Sequence, residues 1–501
     1  MTFSITSITW AAIALVATYG YQKWAAWRTR RALAITQGCQ PPTKYPHKTF
    51  SGYDLVEERT AAVKDGRQME LYMKHFEMYG KTWEETYLDI KVINTMEMRN
   101  IRHVCATGFE DYGKSSRKLF APFLGDGIFS QEGPKWKHSR NLIRPTFSRS
   151  ELSDMDFISV HVDRFLDFIP RDGSTIELQR PLHSLFLDSS SEFLFGQSMN
   201  SQRDPEASDE FLQAFNIAMA GVGKRRTAGI LSRILYAFDG SWKEAYAKVH
   251  AYVDIQVKRA LEETSDEDQN NPANDERPTR YILLHEMAKQ TRDPIDLRFQ
   301  ILNVFLPARE GMAILVGNAM FHLARNPKIW TQLRDESLGL GDRELNFETL
   351  KSLQLFKHVV HEALRLQGPS GRVQRIAKRN TILPVGGGPD GKAPVFVKNG
   401  TIVAINIWGL HHDKDIWGDD ANDFKPERWV GKRPLWEFVP FIGGPRICPA
   451  QQQVLTQSIY LLVRLTRNFA RIENRDTILG YVERVRMLTE SRNGVQVALF
   501  P

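Results

Sequence analysis

The sequence predicts a mainly α-helical fold with small β-sheets (α+β), preceded by one N-terminal transmembrane helix. Three observations predict it. Pro294 to Asn326 keeps a helical apolar pattern for about 30 residues, which at helical rise is about 45 Å, the width of a large globular body. Val- and Ile-rich runs on either side of Asn399-Gly400 have the length and alternation of short strands. No charged side chain occurs from Met1 to Gln22, and an apolar helix of about 20 residues spans a bilayer.

The N-terminus is the first element. Trp10 to Tyr21 is rich in Ala, Ile, Leu and Val, and Trp10, Tyr19, Tyr21, Trp24 and Trp27 bracket it as interfacial aromatics do. Lys23, Arg28, Arg30 and Arg31 follow, and a positive flank places what comes next in the cytosol. A cleaved signal peptide begins with a positive n-region, which is absent here. Residues 1–27 are therefore read as a membrane anchor and 28–45 as a basic, Pro-rich hinge. The hinge centres on Gly38-Cys39-Gln40-Pro41-Pro42, where proline fixes φ and resists helix. Residues 46–501 are read as one globular domain.

Within that domain 42% of the chain is hydrophobic and 25% charged, ordinary values for a sizeable core, and no internal repeat occurs. Leu261 to Thr279 is polar and acidic and reads as a surface loop between helices. Val395 to Ile407 reads as a hairpin about Asn399-Gly400. Gly386-Gly387-Gly388-Pro389-Asp390-Gly391 has no helix after it and reads as a turn, not a phosphate cradle. The net charge of +7, from 66 Lys+Arg and 59 Asp+Glu, is diffuse. No basic stripe interleaves with aromatics, which excludes nucleic acid and suits an acidic protein partner or an anionic membrane. Three cysteines, Cys39, Cys105 and Cys448, are too few and scattered for a disulfide framework.

Cys448 lies in Phe441-Ile-Gly-Gly-Pro-Arg-Ile-Cys-Pro-Ala450. The glycines allow a tight turn close to a large ligand. Arg446, two residues before the sulfur, stabilises a thiolate and can pair with an anion such as a haem propionate. Gln451 to Phe469 is helical in pattern, so the sulfur precedes a helix N-terminus, which favours negative charge. A thiolate held this way suits the axial position of haem iron. Glu362 and Arg365, at i and i+3, share one face of an otherwise apolar helix. Trp136 and Arg140, at i and i+4, likewise share a face.

The cysteine loop resembles the Phe-x-x-Gly-x-Arg-x-Cys-x-Gly signature of the cytochrome P-450 superfamily, with Ala450 in place of the final Gly. Glu362-Ala-Leu-Arg365 resembles its Glu-x-x-Arg helix, Pro426-Glu-Arg428-Trp429 its later arginine segment, and Trp136-Lys-His-Ser-Arg140 its Trp-x-x-x-Arg helix. The resemblance implies the P-450 fold and haem b. It implies Cys448 as axial iron ligand, with Phe441 in the same loop, and a buried structural network of Glu362, Arg365 and Arg428. Trp136, Arg140, Arg446 and Arg375 (or Arg372) would hold propionates, and His138 would face the surface or the propionate side and not bind iron. On the central helix, Pro307-Ala308-Arg309-Glu310-Gly311 stands where the superfamily has Ala/Gly-Gly-x-Asp/Glu-Thr. The acid is kept as Glu310, the likeliest proton-relay residue, and the usual Thr is Gly311. Gly125–Ser130, Val304–Ala313 and Ser370–Gln374 would line the pocket.

Cys39-Gln-Pro-Pro, Leu124-Gly-Asp-Gly-Ile-Phe129, Leu383-Pro-Val-Gly-Gly-Gly-Pro-Asp-Gly391 and Gln451-Gln452 are similar to the fungal microsomal branch that hydroxylates n-alkanes and fatty acids, family fifty-two. Gly311 and Pro449-Ala450 depart from that branch, as a diverged member would. The implied enzyme is a monooxygenase anchored in the endoplasmic reticulum membrane by a single pass, its catalytic domain cytosolic. Electrons would come from NADPH through NADPH–cytochrome P-450 reductase, with cytochrome b5 as a further donor. A hydrophobic small molecule, lipid-like or polyketide in character, would be tailored in fungal secondary metabolism. Three readings stay open beside it: a fatty-acid or n-alkane omega-hydroxylase, a haem-thiolate isomerase or dehydratase needing no reductant, and a non-catalytic haem or lipid binder.

Overall fold

The computed structural model describes residues 5–87, 90–114, 117–147, 155–227, 236, 238–269 and 281–501. An N-terminal helix, Ile5–Thr36, opens the chain. It is helical through residues 28–36, which the sequence reading assigned to the hinge. A run with no proline before Pro41 and ample Ala, Leu and Arg favours helix there. The helix stops at Gly38, whose φ of 64° suits glycine, and Cys39 N–H donates to the Ala34 carbonyl. Trp10, Ile13, Leu15, Val16 and Tyr19 on this helix are all exposed.

The segment after it is clamped. Gln40 N–H donates to the Pro394 carbonyl at 2.9 Å, and Gly388 N–H to the Pro41 carbonyl at 3.1 Å. A side chain at Gly387 would run into the Gln40 carbonyl. The glycine-rich turn therefore seats the linker, a close backbone approach that only glycine allows.

The largest sheet has six strands in the order β1 (Thr43–Lys44), β2 (Thr82–Tyr87), β3 (Ile90–Thr95), β9 (Ile402–Asn406), β6 (Arg372–Ala377) and β4 (Tyr112–Gly113). β7 (Thr381–Gly387) pairs with β8 (Ala393–Val397) around the glycine turn. The expected hairpin about Asn399-Gly400 does not form. Gly400 turns the chain at φ 85°, but its N–H goes to the Ala377 carbonyl, and β9 is delivered between β3 and β6 instead of onto β8. Three further strands form β10 (Arg471–Asn474), β13 (Gln496–Phe500) and β5 (Ile176–Glu177), and β11 (Glu483–Val485) pairs with β12 (Thr489–Ser491). Helix Gly240–Gln269 runs through Leu261–Gln269, part of the expected loop. Its Leu-Glu-Glu start and apolar contacts carry the helix on, and residues 270–279 lie outside the described residues.

The expected central helix is two segments, Pro294–Ala308 and Gly311–Arg325, divided at Arg309-Glu310. Pro307 lacks an N–H and clashes with the preceding turn, which ends the first segment. Asp293 caps the start by accepting from Ile295 N–H at 2.9 Å. Among the described residues, Pro294–Arg325 is also the one helix long and apolar enough to cross a membrane, but 67% of its apolar window is buried in the body. It is the core helix. Its second segment packs against helices Gln179–Phe195, Gln354–Gln367 and Gln451–Asn468, and Leu315, Val316, Met320 and Leu323 are at most 0% exposed there.

Candidate active site

The cysteine loop folds back on itself. Cys448 N–H donates to the Phe441 carbonyl at 3.1 Å, and Ile447 N–H to the Gly444 carbonyl at 3.1 Å. Ile442 is held at φ 61° and Gly444 at φ 70°. A β-branched residue in that region is strained by about 1–3 kcal/mol, so the surroundings over-determine this turn. Those surroundings are a π-helical turn, His103–Thr107. A Cβ at Gly444 would collide with the Cys105 carbonyl. Ala450 has φ −85°, a conformation alanine adopts freely, which explains why glycine is dispensable there. Burial pushes the Cys448 thiol up, while the Ala450 N–H and the Arg140 charge pull it back.

The core helix carries an opening of its own. From Gln300 to Ala324 every residue is buried except Pro307, Ala308, Glu310 and Gly311. Those four are the residues around the helix break. A Cβ at Gly311 would meet nothing within 4 Å.

Four cations gather beside the loop. Arg140 donates to the Ile447 carbonyl at 3.0 Å and lies over the Trp136 ring at 6.0 Å. Arg446 stacks on Trp136 at 4.5 Å and donates to the Gln131 carbonyl at 2.8 Å. Arg375 is buried, and its one hydrogen bond among the described residues is to the Gln374 carbonyl at 2.9 Å. Lys114, which nothing in its sequence setting singled out, completes the set. Burial drives its ammonium far below the lysine range, and the Arg375 and Arg446 charges drive it further, against Glu132. Burial, then Arg375, push Arg446 down to about 10, with Glu132 opposing and Arg140 adding. So many mutually repelling cations around one carboxylate form a site for a polyanion.

Arg372 is not brought to this cluster. It donates to Asn94 Oδ1 at 2.8 Å and lies over the Tyr72 ring at 5.0 Å. An odd separation on one strand puts Arg372 and Arg375 on opposite faces of β6. His138 is exposed and lies 3.7 Å from Asp296. Phe441 is half-buried against the main core. The donor set of one sulfur, four cations and a Trp N–H fits haem b: were it bound, Cys448 would be the residue to hold the iron, and Arg140, Arg375, Arg446, Lys114 and Trp136 those to hold the propionates.

Behind the loop lies the charge network. Glu362 and Arg365 are both 0% exposed. Glu362 accepts from Arg365 Nε and Nη2 at 2.9 and 2.8 Å, from Arg428 Nε at 2.9 Å, from Trp429 Nε1 at 2.9 Å and from Lys425 N–H at 3.1 Å. Arg365 also donates to the His411 and Ala421 carbonyls at 2.7 and 2.6 Å.

Neutral histidines surround this network. Burial lowers His322 to about 4, against a bond to Gln367, and lowers His361 to about 4 and His412 to about 3. A depressed folded-state value means the unfolded chain takes up the proton first. Stability is therefore full above pH about 6.5 and is lost as pH falls toward about 4. At about 1.4 kcal/mol per unit, His322 alone would withdraw on the order of 3 kcal/mol. Chemical denaturation at pH 7, 5.5 and 4.5 should show the midpoint falling steeply, and a flat profile would contradict it.

The sequence compares as follows. The cytochrome P-450 family model matches residues 59–478. The chain is 36% identical over 474 residues to cytochrome P-450 monooxygenase iccC of Talaromyces variabilis, covering 92% of each chain. It is 36% identical over 489 residues to cytochrome P-450 monooxygenase apdE of Emericella nidulans, covering 95% of this chain and 91% of that one. It is 35% identical over 463 residues to cytochrome P-450 52A13 of Debaryomyces hansenii, covering 88% of each.

Proposed function

The chain belongs to the cytochrome P-450 family, and from that premise we propose that this haem-thiolate monooxygenase is membrane-anchored and tailors a hydrophobic fungal secondary metabolite. The observation that carries the substrate reading is the opening at Gly311, where the break in the core helix offers space and no hydroxyl. Bound haem supplies reductive activation of dioxygen, and a thiolate ligand favours O–O cleavage. Electrons come from a separate reductase, with NADPH as their source. The overall reaction inserts one oxygen atom into the substrate and releases the other as water, consuming two electrons and two protons.

The chain's own residues do the rest. Cys448 presents sulfur, held by the Ala450 N–H. The apolar wall of Val304, Phe305 and Leu306 keeps bulk water from the helix side. Glu310 is the proton-moving acid at the break. With no Thr at 311, a hydroxyl of the substrate, or water, occupies that space and completes the proton path. The exposed apolar side chains of Ile5–Thr36 support its role as a single-pass anchor in the endoplasmic reticulum, with reductase and cytochrome b5 docking on the cytosolic side.

The test is turnover in yeast microsomes with reductase, NADPH and isotopically labelled dioxygen, over fatty acids, alkanes and hydroxylated polyketides. Label is expected predominantly in products from substrates carrying their own hydroxyl. Label in fatty-acid or alkane products would favour the second reading, a terminal hydroxylase, which the likeness to cytochrome P-450 52A13 supports. Turnover without reductase would mean an isomerase or dehydratase.

Gly311→Thr is sterically free, since its Cβ meets nothing. Replacing a helix glycine by Thr should hold or raise stability, by up to about 0.4 kcal/mol. The restored hydroxyl is expected to raise product formed per NADPH by roughly twofold or more on substrates lacking a hydroxyl. An unchanged ratio would argue against a proton path through this space.

A further inference from the structure

Glu310 is the one carboxylate on the central helix beyond its first turn, and it does not stand alone. Arg309 Nη2 donates to Glu310 Oε1 at 2.5 Å and to Asn216 Oδ1 at 3.1 Å. Its guanidinium lies 4.4 Å from the centre of the Phe215 ring. Asn216 and Phe215 belong to helix Pro205–Thr227, a different element from the one that carries the acid. Arg309 is 7% exposed, and its Nε finds no hydrogen-bond partner among the described residues. The guanidinium thus commits its bonds to Glu310 and Asn216 and its face to Phe215.

This arrangement has a cost. Burying a guanidinium with one donor unmet is unfavourable, and an exposed ion pair would form without it. The break between the two helical segments supplies the reason. Glu310 sits outside both segments as a turn residue, with φ −113°, so the helix backbone does not fix its side chain. A tether to a second helix does.

We propose that Arg309 is a positioning residue that holds the Glu310 carboxylate at the helix break by docking it, through Asn216 and Phe215, on helix Pro205–Thr227. The inference rests on the reading of Glu310 as the proton-moving acid and adds what keeps it in place. It also makes proton delivery depend on the seat of helix Pro205–Thr227. A ligand that shifts that helix shifts the acid.

The experiment needs no known substrate. Full-length, haem-loaded protein is reconstituted with NADPH and reductase, and dioxygen is reduced either to hydrogen peroxide, one NADPH each, or to water, two NADPH per dioxygen. The peroxide formed per NADPH reports proton delivery. Arg309→Gln is expected to raise that ratio toward its ceiling of one peroxide per NADPH, as loss of an acid–base group does. Arg309→Lys, which can still pair with Glu310, should recover part of it. Asn216→Ala, at an exposed position, should shift it the same way by less, and keeps the test open should Arg309→Gln fail to fold. In a Glu310→Gln background, Arg309→Gln should add nothing, because residues acting through one another are not additive.

An unchanged or lowered ratio in Asn216→Ala and Arg309→Gln overturns the proposal. So does a full Arg309→Gln effect in the Glu310→Gln background, which would mark a structural role. A Glu310→Gln protein with the wild-type ratio instead overturns the reading of Glu310 itself. That outcome is separate from the Arg309 result, since the thiolate spectrum and NADPH consumption of the wild type are recorded alongside.

Discussion

Cys448→Ser is expected to fold, to take up haem, and to lose monooxygenase turnover by about 10³-fold or more, equivalent to about 4 kcal/mol of barrier. The structure separates these outcomes. Folding survives because serine is nearly isosteric, and the backbone bonds that shape the loop, from Cys448 to Phe441 and from Ile447 to Gly444, involve no side chain. The Ala450 N–H that serves the sulfur can serve a hydroxyl. Haem uptake should survive because the cationic cluster of Arg140, Arg375, Arg446 and Lys114, proposed to neutralise the propionates, is untouched. Only the thiolate's electron donation goes. The measurement is the spectrum of the reduced carbon-monoxide complex together with labelled-oxygen incorporation. Retention of the thiolate-type spectrum in Cys448→Ser would place the iron ligand elsewhere and dismantle the site described above.

Legibility in the sequence followed locality. Cys448, Arg446 and Phe441 share ten residues, and their loop could be read because turn chemistry and spacing are local properties. Glu362 and Arg365 were legible as one helical face. Their partners at Trp429 and Lys425, and the carbonyls of His411 and Ala421, come from a segment some sixty residues on, which no periodicity predicts. Lys114 was invisible for the same reason. It follows a two-residue strand and becomes a site residue only because β4 pairs with β6 and brings it beside Arg375. Arg372 was over-read. Strand alternation already separates it from Arg375, and Asn94 and Tyr72 from the other side of the sheet take it up. The proline at 307 was legible as a kink, but its consequence was not. Between Gln300 and Ala324, a stretch otherwise buried, the break leaves Pro307 exposed and Ala308, Glu310 and Gly311 half-buried, and it frees Glu310 to be held from outside by Arg309.

Glu362→Gln is expected to remove most of the holoprotein, although no atom of Glu362 touches the cysteine loop. Glutamine keeps the shape but turns an amide NH2 toward Arg365, Arg428 and Trp429, all of which are donors. One acceptor oxygen cannot serve five incoming bonds, and two guanidinium groups lose their counter-charge. Breaking a buried pair by removing one partner costs about 3–5 kcal/mol, against a total stability of about 5–15 kcal/mol for a folded protein. The damage has a route to the sulfur. Trp429, released from Glu362, packs against Phe438 as a tilted ring pair with centroids 4.6 Å apart. The next residue, Val439, donates its N–H to His411 Nε2 at 3.0 Å and accepts from Ile442 N–H at 2.9 Å. Ile442 is the strained residue that turns the chain from Phe441 toward Cys448, and strain persists only where the surroundings enforce it. Loosening Trp429 should therefore relax that turn and expel haem before the helices unfold. Thermal melts followed by haem absorbance and by far-ultraviolet circular dichroism should separate in Glu362→Gln and coincide in the wild type. Asp420→Asn at the network's rim, where the carboxylate is 38% exposed, is the control and should keep its haem and melt as the wild type does. If Glu362→Gln instead melted with the wild type and kept its haem, the network would have no part in supporting the cysteine loop.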